Sequence, residues 1–144
     1  MPLTFTALAP GPLRWRRVFS GGAEEVATAR RLVAMLLQDC DALDDVLLAA
    51  DELVVNALRH TKSGQPGGSV TLEIDRSPHT VAITVTDQGG PTEPVAVEAT
   101  ELAESGRGLR TVSVLADRWG WFGNSEGRTV TAVFDVAAAG QVSA

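Results

Sequence analysis

The apolar positions of this chain follow two different periods, and the switches between them mark its elements. Leu13 to Ser20 alternates, with Leu13, Trp15 and Arg17 on one face, which predicts a strand. Ser20-Gly21-Gly22-Ala23-Glu24-Glu25 opens a helix, with small residues and acids in its first turn. Val26, Ala29, Arg30, Leu32, Val33, Leu36 and Leu37 follow at helical spacing, so this helix should reach about Asp39, with Met35 and the leucines in the core. A second helix, capped by Asp41 or its neighbours, runs through His60 and Thr61. Gly64 to Gly68 holds three glycines and a proline and must be a loop. Ser69 to Asp75 and His79 to Thr86 alternate on either side of Arg76-Ser77-Pro78, which predicts a hairpin with one buried face.

From Pro91 to Ser105 the periodicity is lost, as expected of a lid or binding segment. Leu109, Val112, Val114 and Leu115 resume helical spacing up to about Asp117. Arg118 to Phe122 reads as a strand, Gly123 to Gly127 as a turn, and Arg128 to Val136 as a last strand alternating through Val130, Ala132 and Phe134. The order is strand, two helices, hairpin, lid, helix, hairpin. It predicts a two-layer α/β sandwich with helices on one face of a mixed, mostly antiparallel sheet. Residues 13–136 form the expected domain, 1–12 an irregular lead-in and 137–144 a flexible tail.

Composition narrows the function classes. The 144 residues, 44% of them hydrophobic, support one domain with a real core. The net charge of −6 leaves no basic stripe to neutralise phosphates, which argues against nucleic-acid binding. Arg14, Arg16 and Arg17 look like the exposed face of a strand. The single cysteine, Cys40, excludes an intramolecular disulfide and reads as a packing thiol. Cysteines and histidines form no metal-binding cluster, and His79 reads as a turn residue. No apolar run approaches the length needed to cross a bilayer, so the expectation is a soluble, cytoplasmic protein with no membrane partner.

Three sites carry candidate chemistry. On the second helix, Val46, Ala50, Leu53, Val54, Ala57 and Leu58 fall on one apolar stripe at about 100° per residue. Asp45, Glu52, Asn56 and Arg59 fall on a neighbouring stripe with His60 at its edge. Glu52 and Asn56, one turn apart, stack on one another. They form either an ordinary exposed face or a polar pocket for a cation or nucleophile. Asp87-Gln88-Gly89 leaves a strand, either as a simple turn or as a carboxylate that accepts a hydrogen bond from an exocyclic amine. Gly106-Arg107-Gly108 precedes a helix, either as a plain helix start or as a phosphate cradle of backbone N–H groups. An amine reader, a phosphate cradle and an Asn carbonyl for Mg²⁺ together make an ATP site. It is not a Walker site, since Gly-x-x-x-x-Gly-Lys-Ser/Thr is absent.

Taken in order, these segments resemble a known set. Glu52-Leu53-Val54-Val55-Asn56-Ala57-Leu58-Arg59-His60 resembles the N box of the Bergerat-fold ATPases, the GHKL superfamily. Asp87-Gln88-Gly89-Gly90 resembles the G1 box, and Gly106-Arg107-Gly108-Leu109 the G2 box. The size is similar to that of the small bacterial anti-sigma factor serine kinases. Ala116-Asp117-Arg118-Trp119-Gly120 and Gly127-Arg128-Thr129-Val130 are similar to actinobacterial members of that group.

The resemblance implies roles residue by residue. Asn56 would ligate Mg²⁺; Asp87 would bond the adenine amino group, with Gly89 giving room for the base. Gly106, Arg107, Gly108 and Leu109 would face the phosphates, and Thr129 would support the adenine end. Glu52 would be the general base for an attacking serine hydroxyl. Arg59 and His60 either touch phosphates or serve as an ordinary helix end. The implied partners are an anti-anti-sigma factor of the STAS type, a sigma factor, and a second copy of the chain through the N-terminal strand with Trp15. The alternative is a nucleotide-gated binding regulator with little or no kinase activity. The chain departs from the pattern in running Gly89-Gly90-Pro91, and in having no lysine in the lid and no arginine there before Arg107.

Overall fold

A computed structural model of the chain describes residues 12–90 and 107–137. Eight regular elements follow one another: β1 (Leu13–Ser20), α1 (Ala23–Leu36), α2 (Leu43–His60), β2 (Ser69–Arg76), β3 (Thr80–Asp87), α3 (Arg107–Leu115), β4 (Arg118–Asn124) and β5 (Gly127–Asp135). A short 3-10 turn, Lys62–Gly64, follows α2. The strands form one sheet in the order β1-β2-β3-β5-β4, and all four pairings are antiparallel. The helices cover one face, so the expected two-layer α/β architecture is present.

Alternation sets the two faces of the sheet. Val70, Leu72 and Ile74 of β2, Val81, Ile83 and Val85 of β3, and Val130, Ala132 and Phe134 of β5 are buried under the helices. Their in-between neighbours form the open face, where Thr84 pairs with Thr131 and Thr86 with Thr129 through hydroxyls 3.1 Å apart. On that same face Arg14 meets Asp75 at 2.9 Å and Arg16 meets Glu73 at 3.8 Å. The N-terminal arginines are therefore cross-strand partners of acids. Arg17 is the exception, lying on the other face with its guanidinium 5.1 Å from the Phe19 ring centre. Trp15, the candidate dimer residue, is half-buried against the core, and Val18 is the exposed apolar side chain of β1.

The central element is α2, which touches α1, α3, β2, β3 and β5. Its buried positions, Val46, Ala49, Ala50, Leu53, Val54 and Ala57, are mostly small, which lets the helix approach the sheet closely. Two sequence expectations change here. No side chain caps α2: Ala42 holds the N-cap position, and Asp44 and Asp45 supply the first-turn negative charge in place of Asp41. Met35 is 60% exposed, because α1 turns its Ala29, Val33 and Leu37 side inward. The link between the helices is pinned to the sheet where Asp39 accepts from Arg76 at 2.8 Å. That bond holds the Asp39 carboxyl below its ordinary pKa.

The core around α2 generates a stability test. Leu53→Ala should cost about 2–5 kcal/mol in urea unfolding, since it opens a cavity between helix and sheet. Arg14→Ala, at an exposed ion pair, should leave the urea midpoint nearly unchanged.

Candidate functional site

Glu52 and Asn56 lie half-buried on the flank of α2, beside its apolar stripe. The stripe fixes the rotation of the helix, and the rotation places the acid and the amide at the edge of the layer. Among the described residues, neither side chain is held by a hydrogen bond or an ion pair. The adjacent Asp51 turns the other way and is gripped by Arg30 of α1. Burial pushes the Asp51 carboxyl up, and the Arg30 charge opposes that shift. Arg59 is exposed and His60 half-buried at the end of the helix.

The end of α2 is clasped to the end of β3. Thr61 is 8% exposed; its hydroxyl donates to the Ala57 carbonyl at 2.6 Å and accepts from the Ser63 N–H at 3.1 Å. This turns the chain so that Lys62 N–H donates to the Gly89 carbonyl at 2.8 Å. Ser63, fully buried, accepts from the Gln88 N–H at 2.9 Å. On the opposite side the β4–β5 turn presses in. Gly89 has φ +78°, and a Cβ there would lie 2.2 Å from the Ser125 carbonyl oxygen. A Cβ on Gly90 would lie 2.5 Å from the His60 carbonyl oxygen. Glycine is required at 89 by both conformation and contact, beyond any room needed for a ligand.

Asp87 sits inside this clasp, 6% exposed and on the helix-covered face. One carboxylate oxygen accepts from the Gly89 N–H at 2.7 Å. Burial pushes its pKa above the ordinary value; the Gly89 N–H and the Arg128 charge pull it back. Arg128 is its cross-strand partner on β5 and is 4% exposed. The guanidinium donates to the carbonyls of Asn124, at 3.2 Å, and Gly90. Thr129, expected to support the base, has the opposite parity. It lies on the open face against Thr86, across the sheet from the Asp87 side chain.

The helix α3 opens at Arg107 and packs directly on α2. Its start is thereby brought beside the helix that carries Asn56. Leu109 is 1% exposed and belongs to the core, so only its backbone can face a ligand. Gly106 and the lid, Pro91 to Ser105, fall outside the described residues, as do the side-chain positions of Arg107 and Gly108. Among the described residues, no three His, Cys, Asp or Glu side chains gather to hold a metal, and no helix is long and apolar enough to cross a membrane.

The histidine kinase-like ATPase domain family matches residues 19–134. The chain belongs to this family. No curated protein matches the chain. Its fold is similar to the crystal structure of the RsbU and RsbW domains of Rv1364c from Mycobacterium tuberculosis, with a TM-score of 0.65 at 17% identity. That likeness covers 91% of this chain and 35% of the other, so this chain spans about a third of the length of that protein.

A histidine kinase-like ATPase domain implies an ATP site, and around the candidate residue Asp87 lie buried polar groups that sequence reasoning missed. Thr61, Ser63 and Arg128 are the buried polar residues that shape the turn holding Asp87. For Arg128 the signal was present: it shares parity with Val130, Ala132 and Phe134, the alternation that marks the buried face. For Thr61 and Ser63 no local pattern pointed to the clasp.

Asp87 makes a pH-dependent prediction. Its folded pKa is raised above the ordinary 3.8, so its contribution to stability is present in acid and is lost as pH rises through the folded value. Asp87→Asn keeps the oxygen that Gly89 needs and does not titrate. In urea unfolding, the variant should gain on the wild type as pH is raised from about 4 to about 8. A constant difference across that range would contradict the buried-carboxylate account.

Proposed function

We propose that this chain binds ATP with Mg²⁺ and transfers the γ-phosphate to a serine of a STAS-type anti-anti-sigma partner, acting as an anti-sigma regulator in the cytoplasm. The observation that carries the ATP-binding part is Asp87, a buried carboxylate at the end of a strand, beside the clasp, in a family of ATPase domains. The Gly89 N–H holds one of its oxygens in the turn, and a carboxylate oxygen has lone pairs to accept from the exocyclic amine of adenine as well. The choice of partner rests on the sequence resemblance and is supported by the likeness in fold to the RsbU and RsbW domains.

The residues fit the groups this reading needs. Asn56 offers a hard carbonyl oxygen that no described side chain occupies. Mg²⁺ keeps several waters and takes phosphate oxygens, so a single protein ligand suffices and a cluster of acids is not required. Bound there, the ion would neutralise charge on the phosphate oxygens. The backbone N–H groups at the start of α3 would receive the phosphates, favoured by the helix dipole. Glu52, one turn before Asn56, would take the proton of the serine hydroxyl as its oxygen bonds to the γ-phosphorus, while the bond from that phosphorus to the β–γ bridging oxygen breaks and ADP leaves with the electron pair. Proton removal of this kind is worth roughly 10²–10⁴-fold in rate. Asp51 would take no part, being held by Arg30 of α1.

The test is transfer of ³²P from γ-labelled ATP to STAS-type proteins of the same organism, each incubated with the purified chain. Wild type should label one of them on serine, and Glu52→Gln should slow labelling by at least about 10²-fold while still binding ADP. Undiminished labelling by Glu52→Gln would remove Glu52 as base. Tight ATP binding with no transfer would favour the nucleotide-gated regulator.

A further inference from the structure

Two oppositely charged side chains, Asp87 and Arg128, are buried side by side at one end of the helix-covered face, 6% and 4% exposed. A buried charge needs a partner that compensates its lost hydration. The Arg128 guanidinium spends its described hydrogen bonds on two neutral backbone carbonyls, those of Asn124 and Gly90. Asp87 is its cross-strand partner, and the Arg128 charge opposes the effect of burial on that carboxyl. Other charged or titratable residues on the packed elements are Glu52, Arg59 and His60 on the later turns of α2, Lys62 in the following turn and Glu126 in the β4–β5 turn. Of these and Arg128, Arg128 is the side chain whose charge acts on Asp87. Its bonds to Gly90 and Asn124 also tie the glycine turn to the β4–β5 turn, so one side chain both braces the turn that holds the carboxylate and opposes the effect of burial on it.

The charge state has a chemical consequence. An ionised carboxylate only accepts hydrogen bonds, whereas its protonated form also carries an O–H donor. A 6-amino purine offers a donor at its edge, and a 6-oxo purine offers an acceptor. We propose that Arg128 is the positioning and specificity residue of the base pocket: its guanidinium holds Asp87 ionised, so that the site selects a 6-amino over a 6-oxo purine nucleotide. This rests on the ATP-site reading above. Thr129, across the sheet, takes no part in the selection.

The test is calorimetric titration of the full chain with ADP and GDP, which avoids turnover, from about pH 6 to about pH 9. Wild type should prefer ADP by at least about tenfold throughout, the scale of one mispaired buried polar group. Arg128→Met should lose about tenfold of that preference near neutral pH and regain it at the alkaline end, as Asp87 ionises. Arg128→Lys, which restores the charge, should behave as wild type. A preference unchanged in Arg128→Met, or equal weakening of both nucleotides at every pH, would overturn the proposal while leaving the ATP site standing. Wild type that binds neither nucleotide would overturn both. Should Arg128→Met fail to fold, the Asp87 carboxyl of the wild type can be titrated directly by ¹³C NMR. An ionised carboxylate at neutral pH is expected, and a protonated one there would overturn the proposal.

Discussion

Two hydrogen bonds between segments about two dozen residues apart hold the site together: Lys62 N–H to the Gly89 carbonyl and Gln88 N–H to the Ser63 hydroxyl. They join the C-terminal end of α2 to the end of β3, the places where the layers must agree if helix-borne and strand-borne chemistry is to share one pocket. Each groups a backbone amide with a buried acceptor, so neither can be lost without leaving a polar group unpaired, at a cost of roughly 1–3 kcal/mol. The glycines at 89 and 90 are what allow three backbone segments to meet there.

From that clasp the geometry propagates in two directions. Along α2, the small buried side chains seat the helix against the sheet and set its rotation, which puts Glu52 and Asn56 at the rim. Along the sheet, the β3–β5 register sets Arg128 beside Asp87. The helix supplies groups with no described partner; the sheet supplies a buried carboxylate with an oppositely charged residue across the strand pair. Such an arrangement costs stability, since a buried carboxylate with a raised pKa is less favourable at neutral pH than a neutral group of its shape.

The elements were legible because their signals are local. The period of two in Ser69 to Asp75 and the stripe of Val46 to Ala57 each reflect one surface being buried, and the structure buries those surfaces. The three glycine- and acid-bearing segments were legible as candidates for the same reason. Less legible were the parity of residues at strand ends and the long-range contacts. Thr129 was expected to support the base from the resemblance, whereas alternation from Phe134 back through Val130 puts Arg128 on the helix-covered face and Thr129 on the open one. Leu109 was grouped with the phosphate-facing glycines, yet its side chain fills the core while its backbone opens α3. Thr61 and Ser63 resemble any helix end, and their role exists only because a strand 25 residues on arrives within reach.

The account stands on the claim that a nucleotide base docks at the Asp87–Gly90 turn. Hydrogen–deuterium exchange of the full chain, with and without ADP and Mg²⁺, tests this most directly. Protection should concentrate at residues 60–64, 87–90 and the first turn of α3, with little change at the β1–β2 edge or the open face of the sheet. Protection confined to the open face, or none at saturating nucleotide, would contradict it.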